Sequence, residues 1–138
     1  MSIRRSGIRS PRGQAAVEFA LVLPFLLIML IGIIEFGRAW NLHQVITDAA
    51  REAARKGAIF DESVTEADVY KVAYDAMGRA GVTCDDCVTI QNALGGQNTA
   101  VTVSIDLPYT FTFFGPLVRW STGQSNIVLK TSFSMRNE

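Results

Sequence analysis

From Phe19 to Ile34 every residue is apolar except Pro24 and Gly32. With Ala15, Ala16 and Val17 upstream the run reaches about twenty residues, broken only by Glu18, which is the length of helix needed to cross a bilayer's hydrocarbon core. A buried helix of a water-soluble domain keeps a polar face over such a length, and this segment has none. The pattern therefore predicts a membrane-spanning helix. Beyond Arg38 the pattern changes: Ile46, Ala49, Ala50, Ala53, Ala54 and Gly57 recur at helical spacing, while Arg51, Glu52, Arg55 and Lys56 fall on other faces. The helix is expected to continue outward as a stem, on the order of 65 Å long if residues 14–57 form one rod. Its stripe of small residues would let another backbone approach, either the protein's own sheet or a neighbouring helix. Own-domain packing is the simpler reading, since a stem helix needs cover for its apolar face.

Thr65-Glu66-Ala67-Asp68 has the threonine cap and acidic first turn of a second helix, in which Val69, Val72, Ala73, Ala76 and Met77 form an apolar stripe before Gly81 stops it. Val88 and Ile90, the turn-rich Gly95-Gly96-Gln97-Asn98, and Val101, Val103, Ile105 and Leu107 alternating with polar residues read as a hairpin. Ile127, Leu129, Thr131, Phe133 and Met135 alternate in the same way. The predicted fold class is α+β: a long N-terminal transmembrane and stem helix, a second amphipathic helix, and a small antiparallel sheet of about three strands. Tyr109, Phe111 and Phe113 alternate with threonines, followed by Phe114, a Gly115-Pro116 break and Trp120. This aromatic group is either a docking surface, for a partner or for the outer leaflet, or the core of a small domain. Period-two alternation favours the core.

Composition and charge narrow the class. A chain of 138 residues, 49% of them hydrophobic, has room for one domain and one membrane segment. Its 13 basic and 13 acidic residues cancel, so no overall field draws it to nucleic acid. The basic residues are uneven, however: Arg4, Arg5, Arg9 and Arg12 all precede the first acid. The positive-inside bias then puts the N-terminus in the cytoplasm and the remainder outside. A cleavable secretory signal is the rival reading, but no small-x-small cleavage site with a polar mature start follows Ile34, and the apolar segment is expected to be retained. Pro24 removes a backbone donor inside the helix and is expected to bend it. Glu35 and Arg38, three residues apart, can share a helix face as an interfacial ion pair, and Trp40 fits the aromatic belt at the same level.

The sequence Arg12-Gly13-Gln14-Ala15-Ala16-Val17-Glu18-Phe19 ends a basic leader in glycine and places a carboxylate five residues later, where the apolar run opens. An ionised carboxylate there is costly and is usually functional or paired; its plain alternative is a hydrated acid in the headgroup region. The arrangement is similar to the processing site of type IV prepilins. The longer stretch from Gly13 to Pro24, then Ile34-Glu35-Phe36-Gly37-Arg38 and Ala49-Ala50-Arg51-Glu52-Ala53-Ala54-Arg55, resembles the TadE family of Tad (Flp) pilus-assembly pseudopilins. TadF and TadG proteins share similar openings, but the chain leaves no space for TadG's large exported domain. The resemblance implies that prepilin peptidase cuts between Gly13 and Gln14 on the cytoplasmic side. It also implies that Glu18 neutralises the new N-terminal amine, commonly of a neighbouring subunit, during filament growth. Implied partners are inner-membrane lipid, prepilin peptidase, other pilins (TadF-like, and a Flp-like major pilin) and the pilus assembly machinery. The expected plan is a leader over residues 1–13, a transmembrane and stem helix over 14–58, and a periplasmic α+β domain over 59–138.

Cys84-Asp85-Asp86-Cys87 admits a redox pair, half a metal site or a local disulfide. The flanking acids would raise a thiol's pKa, and no βαβ context surrounds the pair, which disfavours redox chemistry. Zinc needs more ligands, and the single histidine, His43, lies in the stem, where it reads as an exposed polar residue. A disulfide in an oxidising compartment fits best, with two free thiols as the remaining alternative. No phosphate loop, nucleophile elbow or acid-base pair is evident. No cofactor is expected and the chain reads as a non-enzyme. The competing class is an uncleaved, signal-anchored exported domain that binds an envelope component through its aromatic region.

Overall fold

The computed structural model describes residues 11–59, 63–93 and 99–136. Most of the leader, with Arg4, Arg5 and Arg9, and the Gly95–Asn98 turn lie outside the described residues. The elements run α1 (Pro11–Gly57), α2 (Glu66–Arg79), β1 (Val88–Gln91), β2 (Ala100–Thr110), α3 (Gly115–Thr122) and β3 (Asn126–Arg136). This is the α+β arrangement the sequence predicts, with one additional short helix. The chain divides into two compact units between Phe36 and Gly37.

The first unit is the N-terminal part of α1. Its side chains from Gly13 to Leu30 are all exposed, and its apolar stretch is long enough to cross a membrane by length and composition. Pro24 lies inside the helix, where it forfeits one backbone hydrogen bond. Glu35 departs from its surroundings: it is 2% exposed.

The second unit is built around β2. The strands form an antiparallel sheet in the order β1-β2-β3. Val101, Val103, Ile105, Leu107 and Tyr109 of β2 point to one face and are buried, as the period of two requires. They share a core with Ile46, Ala49, Ala50, Ala53 and Ala54 of α1 and Val69, Ala73 and Met77 of α2. The alanine stripe of the stem is thus covered inside its own unit. On the other face Thr102 and Ser104 of β2 reach Ser134 and Ser132 of β3 at 3.2 and 3.0 Å, and Lys130 Nζ donates to Asp106 Oδ2 at 2.8 Å. That face is polar and solvated, which is how an antiparallel sheet tolerates having a single packed side.

Pro108 lies in the central strand, a position proline normally avoids because it has no N–H to give. β1 pairing ends at Val88↔Ile105, with a last bond from Asp106 N–H to the Cys87 carbonyl. Pro108 stands beyond it, where the ladder on that side makes no demand on its nitrogen.

Local chemistry fixes the ends of α2. The Thr65 hydroxyl accepts from Asp68 N–H at 3.3 Å, while the Asp68 carboxylate accepts from Thr65 N–H at 2.9 Å, a reciprocal capping box. At the far end Val82 N–H donates to the Met77 carbonyl and Gly81 N–H to that of Gly78. The reversal needs a left-handed residue, and Gly81 supplies it with φ of 72°.

The sequence pattern misreads one connection. Gly115-Pro116, expected as a break, opens α3 instead, with the proline in its first turn, where its fixed φ suits a helix and the missing donor would have been unpaired anyway.

Candidate functional site

Three groups of residues carry the expected chemistry. The first is the start of α1. Gln14 Nε2 donates to Glu18 Oε1 at 3.0 Å, one helical turn apart on an exposed face. A carboxylate in this position therefore has a polar neighbour but no cation within the segment that the described residues show bonded to it. Gly13 lies in the first turns of α1 with nothing within 4 Å of where a Cβ would be. Glycine weakens the helix at this end, being about 1 kcal/mol poorer than alanine as a helix former.

The second group lies farther along α1. Arg38 Nη1 donates to Thr112 Oγ1 at 2.6 Å, tying the stem to the connection that follows β2. Trp40 is exposed and stacks on His43, ring centroids 6.5 Å apart. His43 is half-buried, and its carbonyl accepts from Thr47 Oγ1 at 2.7 Å. Three residues before Arg38, Glu35 is buried; helical spacing alone shows that the two can share a face, not that one of them is withdrawn from solvent.

The third group is the aromatic stretch. The structure splits it. Tyr109, in β2, is buried at 6% exposure and meets Phe111, just past the strand, edge-on at 5.2 Å. Phe113 and Trp120 are 61% and 86% exposed. The core reading holds for the part within β2 and fails for the part beyond Thr110, because the strand ends there and the alternation no longer reports on a sheet face.

Cys84 and Cys87 are joined in a disulfide across the turn between α2 and β1. Asp86, inside that turn, has φ of 53°, a left-handed conformation that aspartate tolerates better than most residues. Among the described residues no group of three or more His, Cys, Asp and Glu side chains gathers as a metal site.

Sequence reasoning anticipated the long apolar helix from its pattern. It missed the Arg38 and Thr112 contact, which joins residues 74 positions apart and leaves no local signal. It also missed α3.

Comparison with known proteins agrees with the N-terminal arrangement. No curated protein and no solved structure matches the chain. A family model described as TadE-like protein matches residues 13–55. That interval begins at Gly13, contains Glu18 and the whole apolar run, and ends within the alanine stripe of the stem. Over residues 13–55 the chain is similar to the TadE-like family, through the segment that carries its apolar helix.

Proposed function

We propose that the protein is a TadE-like pseudopilin, a structural and non-catalytic component in assembly of a Tad (Flp) type IVc pilus. The observation that carries this reading is the family match beginning at Gly13 and running through Glu18 and the apolar helix. In this scheme α1 is a single-pass anchor in the bacterial inner membrane, with a cytoplasmic N-terminus and a periplasmic C-terminal domain. Residues 1–13 are the leader, 14–58 the transmembrane and stem helix, and 59–138 the exported domain.

Prepilin peptidase removes the leader between Gly13 and Gln14. The step creates an ammonium group one helical turn from Glu18. Near the hydrocarbon boundary water no longer screens such charges well, and an unpaired carboxylate is disfavoured. Glu18 is then drawn to the ammonium of its own chain or of a neighbouring subunit, and pairing with a neighbour sets the register of adjacent helices. The Gln14 side-chain amide donates to Glu18 Oε1 at 3.0 Å, and the orientation of Glu18 back towards the turn that carries Gln14 supports this reading. Partners in this reading are membrane lipid, the peptidase, TadF-like and Flp-like pilins, and the assembly machinery.

Intact-mass measurement of the membrane-extracted protein tests the proposal. The mature chain should begin at Gln14 in cells with the peptidase and retain its leader in cells without it. An intact leader in peptidase-competent cells would instead favour a signal-anchored binding domain.

A further inference from the structure

The β2–β3 connection is poor in charge and rich in exposed aromatic surface. Residues 107–129, between Asp106 and Lys130, contain a single charged side chain, Arg119. Within it Phe113 and Trp120 are strongly exposed, and at the start of β3 Ile127 and Val128 are exposed as well. Water is a poor solvent for such a patch, and a surface of this kind marks an interaction site.

Three contacts show at which end of the second unit the patch lies. The Arg51 guanidinium sits over the Phe133 ring, 5.5 Å from its centroid. Thr47 Oγ1 and Thr131 Oγ1 are 3.2 Å apart, and Arg38 bonds to Thr112. Moving back along α1 from Arg51 to Arg38 therefore follows β3 towards its start and on to the connection between β2 and β3. That connection lies at the Arg38 end. Arg38 is four residues past Ile34, the last residue of the apolar run, a distance of about one helical turn. If the run occupies the hydrocarbon core, Arg38, four residues beyond it in sequence, lies close to the water boundary. There aromatic rings are favoured because one part of the ring is apolar and the other wet, and a lone arginine has lipid phosphate to pair with.

We infer that the α3 segment, with Phe113 and Trp120 as its inserted side chains and Arg119 beside them, forms a second membrane contact in the outer-leaflet interface, distinct from the spanning helix. The inference rests on the membrane-anchor reading of α1. It assigns a role to an element that the pilin scheme leaves unused, since holding the exported domain against the bilayer at two points would restrict its rotation about the stem.

The chain has two tryptophans, so Trp40→Phe leaves Trp120 as the sole indole reporter. The full-length variant is placed in phosphatidylcholine and phosphatidylglycerol vesicles and floated on a density gradient. Fluorescence is then read with lipids brominated near the headgroup and, separately, with aqueous iodide. The expected result is loss of Trp120 emission in the brominated vesicles and little change with iodide. Quenching by iodide but not by bromolipid would overturn the inference by placing Trp120 in water. Protection from both would overturn it in favour of a protein surface covering α3. Failure to float with vesicles would instead sink the anchor reading of α1. Should Trp40→Phe disturb folding, the difference between wild type and Trp120→Phe supplies the same signal.

Discussion

Gly57, the last residue of α1, approaches β2 so closely that a methyl group built on it would lie 3.0 Å from Val101 Cγ1 and 3.4 Å from Val69 Cγ2. The stem helix, α2 and the central strand converge at this point. Gly57→Ala gains up to about 1 kcal/mol of helix propensity and loses part of it to the Val101 contact, so its net effect should be small. Gly57→Leu has no such room and should destabilise the domain by about 1–3 kcal/mol through overpacking. Urea unfolding of the detergent-solubilised chain checks this pair; a leucine variant as stable as wild type would contradict the convergence.

Acid should loosen α2 from its N-terminal end. The backbone hydrogen bond from Thr65, followed by the bond from its hydroxyl, holds the Asp68 carboxyl below its ordinary value. A carboxylate whose pKa is lower folded than unfolded contributes stability above the unfolded value and loses it as pH falls through the folded one. Amide exchange at residues 66–69 should therefore accelerate below about pH 4, the ordinary aspartate range. Asp68→Asn should show the faster exchange already at neutral pH and no acid step. If exchange there is flat across that range in wild type, the capping box does not govern this helix end.

The disulfide between Cys84 and Cys87 closes a very short loop. Chain-entropy reasoning assigns such a closure about 2 kcal/mol. Replacing both cysteines by serine should lower stability by that order and leave piliation intact, because the bond only holds the turn that feeds β1. Electron microscopy of cells carrying the double variant checks it. Loss of pili with a normally folded domain would point to thiol chemistry instead.

The elements legible in the sequence are those in which one periodicity reports one environment. The run from Phe19 to Ile34, the alanine stripe of the stem, and the alternation of Val101 to Leu107 each meet a uniform surrounding, and each forms the element predicted. Thr65 and Asp68 were readable because a capping box is local. Legibility ends where the deciding contact is remote or the environment changes within one pattern. Phe113 continues the alternation of Tyr109 and Phe111 past the end of β2, so the same spacing yields a buried ring at one position and an exposed ring at another. Pro116 reads as a stop or as a helix start depending on which residues follow. That Glu35 is 2% exposed is not signalled by its neighbours in sequence.

Glu18 offers the sharpest mutational test of the assembly scheme. Insertion depends on the apolar run, and removing a single acid at its edge makes the segment more apolar, so Glu18→Ala should be extracted with the membrane as wild type is. Assembly is a different matter. Once the leader is removed, the Gln14 ammonium needs a counter-charge, and stripping one partner from a desolvated ion pair costs about 3–5 kcal/mol. At about 1.4 kcal/mol for each factor of ten, that is a large loss of helix association for every subunit added. Surface pili should accordingly disappear in Glu18→Ala, with processing at Gly13 retained, and return in part with Glu18→Asp, which restores the charge on a shorter arm. Glu18→Gln keeps the shape and the hydrogen bond to Gln14 but not the charge, and should behave like alanine. Pili on the glutamine variant would mean that the side chain serves α1 as a hydrogen-bonding group, and the counter-charge mechanism would have to be abandoned.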